Sequence, residues 1–254
     1  PVAEVVGLRS TDRLEALAEH GIESAGDLVD LDARVVALAD FLWRSLATSI
    51  HQAAVAGSGH QPELAFGVDR LHVPRADVEI DIDMENALDG TVYLWGALAQ
   101  GEYVSSQSWE QPSPSVDAEV FVTFWSWLTA QREQARRHHR SIAIYCWFAN
   151  AESTALRRGA AAAAELLGHR SAPAEVEALL ADECFVDLFE VFARQVVVGH
   201  GNGLKAVAPH AGFHWRDEDP GGSESMLWHN DAVGASGPSG ASMRRSARQR
   251  LLAY

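Results

Sequence analysis

A strict alternation of acidic and apolar residues over nine positions constrains the fold of this chain more than any other feature of its sequence. The acidic members are Asp77, Glu79, Asp81, Asp83 and Glu85, and the apolar members are Val78, Ile80, Ile82 and Met84. A period of two is typical of a β-strand that turns one face to a core and the other to polar surroundings. Because alternate side chains share a face, the pattern predicts a strand with Asp81, Asp83 and Glu85 side by side.

The segments after this strand predict a sheet that is first antiparallel and then parallel. Turn signals at Asp89-Gly90 and Gln100-Gly101-Glu102 predict two further strands, at 91–99 and 103–109. The later segments are expected to form a helix at 116–137, a strand at 142–148, a helix at 152–167 and a short strand at 184–188. Three antiparallel strands followed by parallel crossovers predict an α/β fold with a mixed sheet.

Three regions are predicted along the 254 residues, a length that suits one large domain or an ordinary domain with a small one. Residues 1–32 are expected to form a small helical element with turns at Gly7 and Gly21. Gly21 fits the left-handed position that ends a helix. Residues 33–76 are predicted to be a helical linker, and residues 77–254 hold the mixed sheet.

The total charge of the chain, −15, argues by itself against a nucleic-acid partner. The arginines are clustered, however, and local fields matter more than the total. Taken singly, each cluster is more simply explained as a solvated helix face. The clusters comprise Arg132, Arg136, Arg137 and Arg140 in one segment and Arg244, Arg245, Arg248 and Arg250 in another.

Other sequence features concern the location of the protein. No apolar run is long enough to cross a bilayer, and the first residues lack the basic and apolar stretches of a signal peptide. The two cysteines, Cys146 and Cys184, lie in apolar runs, which favours buried free thiols over a disulfide. We therefore expect no membrane partner and a cytoplasmic location.

The three carboxylates predicted on one strand face suggest a metal site. Like charges at this spacing repel, and their burial without partners is costly. A divalent cation relieves that cost, and oxygen ligands suit Mg²⁺ or Mn²⁺. Paired ions can activate a water molecule and stabilise the leaving oxygen of a phosphodiester. The alternative is a solvated acidic face, but a meander followed by alternating helices and strands favours the metal site.

A second candidate position follows the predicted central strand, where Asn150 and Glu152 precede a helix. An acidic residue at a helix start is stabilised by the helix dipole, which explains Glu152 without any ligand. The carboxyl end of a central strand is also where α/β sheets bind ligands. The spacing alone leaves both interpretations open.

Five short segments share the pattern of one known domain. Val73 to Asn86 and Tyr93 to Gly96 match its opening, Tyr145 to Arg158 matches its second block, and Gly203-Leu204-Lys205 with Gly212-Phe213 matches its third. Together they resemble the ribonuclease H-like exonuclease domain of the RecB-like nuclease family, over about residues 73–254. The first block is the most specific of the three.

The resemblance implies a metal-dependent 3′–5′ exonuclease of the four-carboxylate (DEDD) type, which acts on DNA or RNA. Asp83 and Glu85 match its Asp-x-Glu pair, and Glu152 matches its second-block acid, where related enzymes usually have Asp. A shift of register by two residues would make Asp81 the first member of the pair.

The resemblance also indicates candidate contacts to nucleic acid. Asn150 lies in the second block, and Lys205 in the third, where it either contacts phosphate or lies on a helix surface. Residues 5–31 resemble a helix-hairpin-helix element, in which the amides of a glycine turn contact phosphate, with Gly7 and Gly21 as the candidate turns. A small helical spacer explains the same segment, and its acidic composition favours the spacer.

The last acidic motif that the resemblance implies, Tyr-Asn-x-Asp-Asp on a final helix, is expected beyond Tyr254. The chain is therefore expected to belong to a longer protein, with other domains of that protein as partners. Asp187 and Asp231 are the alternatives within the chain. A nuclease is the first hypothesis for its function. The second is a catalytically degenerate nuclease-fold module that binds nucleic acid or a partner domain.

Overall fold

The computed structural model describes residues 11–19, 21–24, 26–27, 62–65, 68–198, 203–214, 222–234 and 241–253. Gly7 and most of the predicted helical linker lie outside these ranges. The chain divides into two compact units, one of residues 1–73 with 189–214 and the other of residues 74–188 with 215–254. In the described parts of the chain, no helix is both long enough and apolar enough to cross a membrane.

The elements are, in chain order, α1 (Thr11–Glu19), β1 (Glu63–Leu64), β2 (Val78–Asn86), β3 (Val92–Ala99), β4 (Glu102–Gln107), α2 (Pro114–Arg137), β5 (Ile142–Cys146), α3 (Ala149–Leu166), α4 (Ala172–Leu180), β6 (Phe185–Asp187), α5 (Leu188–Gln195), β7 (Val196–Val197), α6 (Leu204–Val207), a 3₁₀ turn (Ala208–Ala211), α7 (Gly222–Val233) and α8 (Ala241–Ala253).

In the first unit, α1 ends as the sequence predicts. Gly21 has a φ of 74°, and its amide donates to the carbonyl of Ala18 at 2.9 Å. The amide of Ile22 donates to the carbonyl of Leu17 at 3.0 Å, and both of these side chains are buried. This left-handed ending folds the chain back on the apolar side of α1. The same unit contains a two-stranded antiparallel pair of β1 and β7.

The second unit is built on a mixed five-stranded sheet in the order β4-β3-β2-β5-β6. The strands β2, β3 and β4 form an antiparallel meander, and β5 and β6 run parallel to β2. The predicted α/β fold with a mixed sheet is therefore confirmed. The helix predicted at 152–167 begins earlier, at Ala149, so that Glu152 lies in its first turn.

One face of this sheet carries the main core. Ile80 and Ile82 of β2 and Trp95 of β3 are buried there against α2 and α3. The rings of Trp95 and Phe124 stack with centroids 4.6 Å apart. Full burial of a large apolar side chain contributes about 1.5–3 kcal/mol, so this layer fixes which face of β2 turns inward. The acidic residues of β2 consequently point to the opposite face.

The opposite face of the sheet is covered only in part. The helices α7 and α8 pack over one region of it, in a cluster of Ala87, Tyr93, Leu94, Trp228, Ala232 and Leu251. Asp81, Asp83 and Leu98, on the same face, are exposed. The partial cover leaves an open surface beside the carboxylates of β2.

Close packing between α2 and α3 depends on Gly159. A methyl group built on this residue would lie 2.7–2.9 Å from three atoms of the Phe121 side chain, including its Cβ. A Gly159→Ala variant is therefore expected to lose about 1–3 kcal/mol of unfolding free energy through overpacking, more than the roughly 1 kcal/mol that alanine gains in helix propensity. Urea denaturation measures the change. A neutral Gly159→Ala would contradict this packing.

Candidate functional site

The strands β2, β5 and β6 run parallel, so their carboxyl-terminal ends meet at one end of the sheet. Asp83 and Glu85 lie toward this end of β2, and Asp187 is the last residue of β6. Cys146, the last residue of β5, is directly opposite Asp187 in the strand register. This is the position where open α/β sheets bind ligands.

Glu152 is the most unusual acidic side chain at this end of the sheet. It lies in the first turn of α3, is only 4% exposed, and its Oε2 atom has no hydrogen-bond partner among the residues that the structure describes. Burial, with a smaller contribution from the charges of Asp83 and Asp187, raises its pKa to about 7. The helix dipole explains an acid in this turn, but not its burial without a partner.

Asp187 holds the beginning of α3. Its Oδ1 accepts the amide of Phe148 at 3.2 Å, and its Oδ2 accepts the amide of Ala149 at 3.0 Å. These bonds satisfy amides that a helix start leaves open, which explains why α3 begins at Ala149. Phe148 has a φ of 70°, a left-handed conformation that is strained for an aromatic residue. The turn before Glu152 thus holds Phe148 in a backbone conformation that an aromatic residue does not prefer.

Asp83 lies on the partly open face of β2. Desolvation by the surrounding protein raises the pKa of Asp83. The amide of Met84 donates to its Oδ1 at 2.9 Å, and this hydrogen bond lowers the pKa. Its charge is one of the causes that raise the pKa of Glu152. Asp83 and Glu152, predicted separately from two sequence segments, therefore share one electrostatic environment.

Glu85 is held by the helix that covers the end of this face. Its Oε2 accepts the hydroxyl of Ser225 at 2.6 Å, and Ser225 on α7 is fully buried. The register of β2 against β3 is irregular between Glu85 and Asn86, as at a β-bulge. Irregularities of this kind redirect side chains near functional sites.

Asp81 belongs to a different group of side chains. Burial raises its pKa, and the charge of Glu79 raises it further. Glu79 pairs with Arg75 at 2.5 Å and accepts the hydroxyl of Tyr145 at 3.0 Å. The pairing with Arg75 lowers the pKa of Glu79 to about 2, so Asp81 lies beside a fixed negative charge. The charges of Glu152 and Asp187 are not among the causes that shift the pKa of Asp81.

Several acidic side chains lie near Cys146 at the end of β5. Burial raises the pKa of its thiol, and the charges of Glu152, Asp187 and Asp83 raise it further. All three carboxylates therefore lie within electrostatic reach of one sulfur atom. The thiol stays protonated at neutral pH and does not act as a nucleophile. Cys146 and Cys184 are both free thiols.

The sequence interpretation missed Tyr103. Burial is the main cause that raises the pKa of its hydroxyl, and the charges of Asp83 and Glu85 raise it further. Tyr103 lies against Gly96, which is opposite Asp83 in the register of β2 and β3. A glycine inside a strand indicates a close approach by another group, and this was the available signal.

Three further candidates lie on helices. Asn150 is exposed on α3, two residues before Glu152, and Lys205 is exposed on α6 in the other unit. Asp231 lies on α7. The structure therefore brings together Asp83, Glu152 and Asp187, with Glu85 and Tyr103 beside Asp83.

The chemistry of the carboxylates fits a divalent cation. They supply the oxygen ligands that Mg²⁺ and Mn²⁺ prefer, and Glu152 Oε2 is a buried acceptor without a partner. Among the residues that the structure describes, no three His, Cys, Asp or Glu side chains are close enough, as they stand, to hold an ion together.

Comparisons with known proteins found no relative of this chain. No protein-family model, no curated protein and no solved structure matches this chain.

Proposed function

We propose that this protein is a metal-dependent nuclease that hydrolyses phosphodiester bonds of DNA or RNA, with Asp83, Glu85 and Glu152 as ligands of Mg²⁺ or Mn²⁺. The observation that carries the proposal is the buried carboxylate of Glu152, which has one oxygen without a partner in the described part of the chain and lies in the field of Asp83 and Asp187. A buried carboxylate without a partner destabilises the fold, and a bound cation removes that penalty.

The surrounding residues support this role by fixing the ligands. Asp187 binds the first amides of α3 and so fixes the turn that carries Glu152. Ser225 fixes one oxygen of Glu85. Asp83 keeps access to solvent, so a substrate phosphate can approach it from the open face of the sheet. When bound, the cations supply an activated water and charge compensation for the leaving oxygen.

Rotation of two side chains would complete the site. Asp83 and Glu152 have two and three side-chain torsions, and neither is held by an ion pair among the described residues. These two side chains, with Glu85, would hold the cation. Asp187 remains at the start of α3, where it adds negative potential without leaving its amides.

The order of the sheet supports the same assignment. An antiparallel meander followed by parallel crossovers is the topology that the ribonuclease H-like resemblance implies. The 3′–5′ polarity, the exonuclease mode and the cytoplasmic location are parts of the proposal that rest on the sequence. So are Asn150 and Lys205 as nucleic-acid contacts.

Degradation of an end-labelled single strand tests the proposal. We expect shortening of a 5′-labelled strand into a ladder with Mn²⁺, and no shortening when a chelator replaces the ion. Release of the label as a mononucleotide from a 3′-labelled strand would establish the polarity. Absence of cleavage together with absence of Mn²⁺ binding by calorimetry would reject the nuclease, and retained strand binding would then favour the non-catalytic binding module.

A further inference from the structure

Tyr103 presents an exposed aromatic ring next to the proposed metal ligands. Its side chain is 62% exposed, although β4 is paired along its whole length with β3. A methyl group built on Gly96 would lie 2.7 Å from the Tyr103 hydroxyl oxygen and 3.2–3.3 Å from two ring carbons. The ring therefore rests against the bare backbone of β3 at the point where Asp83 is the partner of Gly96.

The absence of a side chain at position 96 determines where this ring lies. Tyr103 is opposite Leu98 in the register, and its ring reaches diagonally to Gly96, toward the carboxylates. The charges of Asp83 and Glu85 both act on its hydroxyl. The result is an aromatic surface held within electrostatic reach of two acids, with Leu98, 44% exposed, beside it.

We infer that Tyr103 is a substrate-contacting residue on which a base of a single-stranded nucleic acid stacks. A nucleotide combines a phosphate, which the proposed metal ligands would bind, with a flat uncharged ring that stacks on an aromatic side chain. Every base has such a face, so the contact selects for unpaired strands without selecting for sequence. A base paired within a duplex keeps its faces against its neighbours and cannot make this contact.

This inference rests on the proposed function, because a phosphate bound to a cation on the carboxylates would bring a base to Tyr103. A protein partner is the competing occupant, since exposed aromatic and aliphatic side chains also occur in protein interfaces. The nearness of Asp83 and Glu85 to the ring favours a ligand whose phosphate would bind a cation held by these acids, as that of a nucleic acid would.

Strand binding by the 254-residue chain tests the inference, with Ca²⁺ in place of Mn²⁺ so that binding is measured separately from cleavage. Fluorescence anisotropy of a labelled single strand should give equal Kd values for the wild type and Tyr103→Phe. Tyr103→Leu should bind about tenfold more weakly, as expected for the loss of one base–aromatic stack. On a fully abasic strand of the same length, all three proteins should bind alike.

Equal binding of the ordinary strand by Tyr103→Leu and the wild type would overturn the inference. A loss that persists on the abasic strand, or no binding by the wild type, would overturn it as well. The wild type alone should bind the abasic strand more weakly than the ordinary strand, and this comparison stands even where Tyr103→Leu folds poorly. Cleavage measured in parallel separates the two proposals. Stacking without cleavage would reject the nuclease alone, and cleavage unaffected by Tyr103→Leu would reject stacking alone.

Discussion

Replacement of Asp83 by asparagine is expected to reduce metal-dependent cleavage by more than about 100-fold, because the loss of even an outer-shell partner of a metal ligand costs about 10–100-fold. Asparagine keeps the size of the side chain but provides only a neutral carbonyl oxygen as a ligand. The fold should survive, since burial already disfavours the charged form of Asp83. Initial rates with saturating Mn²⁺, together with a thermal melt of each protein, provide the measurement.

Asp81→Asn is the matched control for this change. Asp81 lies on the same strand and the same face, two residues away, but its neighbour is Glu79 rather than Glu152. We expect this variant to keep most of the activity. The reverse result, with activity lost in Asp81→Asn and kept in Asp83→Asn, would transfer the role of first ligand to Asp81. That is the shifted register that the sequence leaves open.

The strand β2 and the mixed sheet were predictable because their signals are local. The alternation around Ile80 and Ile82 depends only on neighbouring residues, and the two turn signals follow within 17 residues of Glu85. The hydrophobic face of β2 then follows from the cost of exposing those side chains. Glu152 could also be identified, because it follows an apolar strand directly along the chain.

The contacts that shape the site were not predictable, since they join distant residues. Ser225 reaches Glu85 across 140 positions of sequence, and Asp187 binds the amides of Phe148 and Ala149 from another strand. No local pattern indicates either partner. The sequence interpretation weighed Asp187 only as a substitute for a missing ligand, whereas the structure places it as the cap of α3.

Two helices were also missed, for different reasons. α4 is a short helix that contains a proline near its start, and its amphipathic pattern covers little more than two turns. α7 begins with small and polar residues, and its apolar side becomes apparent only when it packs over Tyr93. Periodicity is a weak signal in such short segments, because tertiary packing supplies most of the stability of a short helix.

Without metal, the protein is expected to lose stability as the pH rises from about 4.5 to about 7, because of Glu152. An ordinary glutamate has a pKa of 4.5, whereas burial raises that of Glu152 to about 7 in the fold. Between these values the folded chain binds more protons than the unfolded chain, so the free energy of unfolding falls as the pH increases. The full loss, reached above pH 7, is of the order of 3 kcal/mol.

Glu152→Gln should remove this dependence. Glutamine cannot ionise, so the unfolding free energies of the variant and the wild type should diverge by about 3 kcal/mol between pH 4.5 and pH 8, in favour of the variant. Comparing the two proteins at each pH cancels the other titrating groups, and the constant cost of burying an amide also drops out. Glu165→Gln, at an exposed position of the same helix, is the control and should stay within about 0.5 kcal/mol of the wild type.

The same variant tests the link between this buried carboxylate and a cation. A divalent ion that binds only the folded wild type stabilises it by mass action, by about 2.7 kcal/mol at 100 times its Kd. At pH 8 we therefore expect Mn²⁺ to raise the Tm of the wild type and to leave that of Glu152→Gln nearly unchanged. An equal rise in both proteins would place the ion elsewhere. A pH dependence that disappears in the variant, with no response of the wild type to Mn²⁺, would leave Glu152 as a buried acid with no catalytic role.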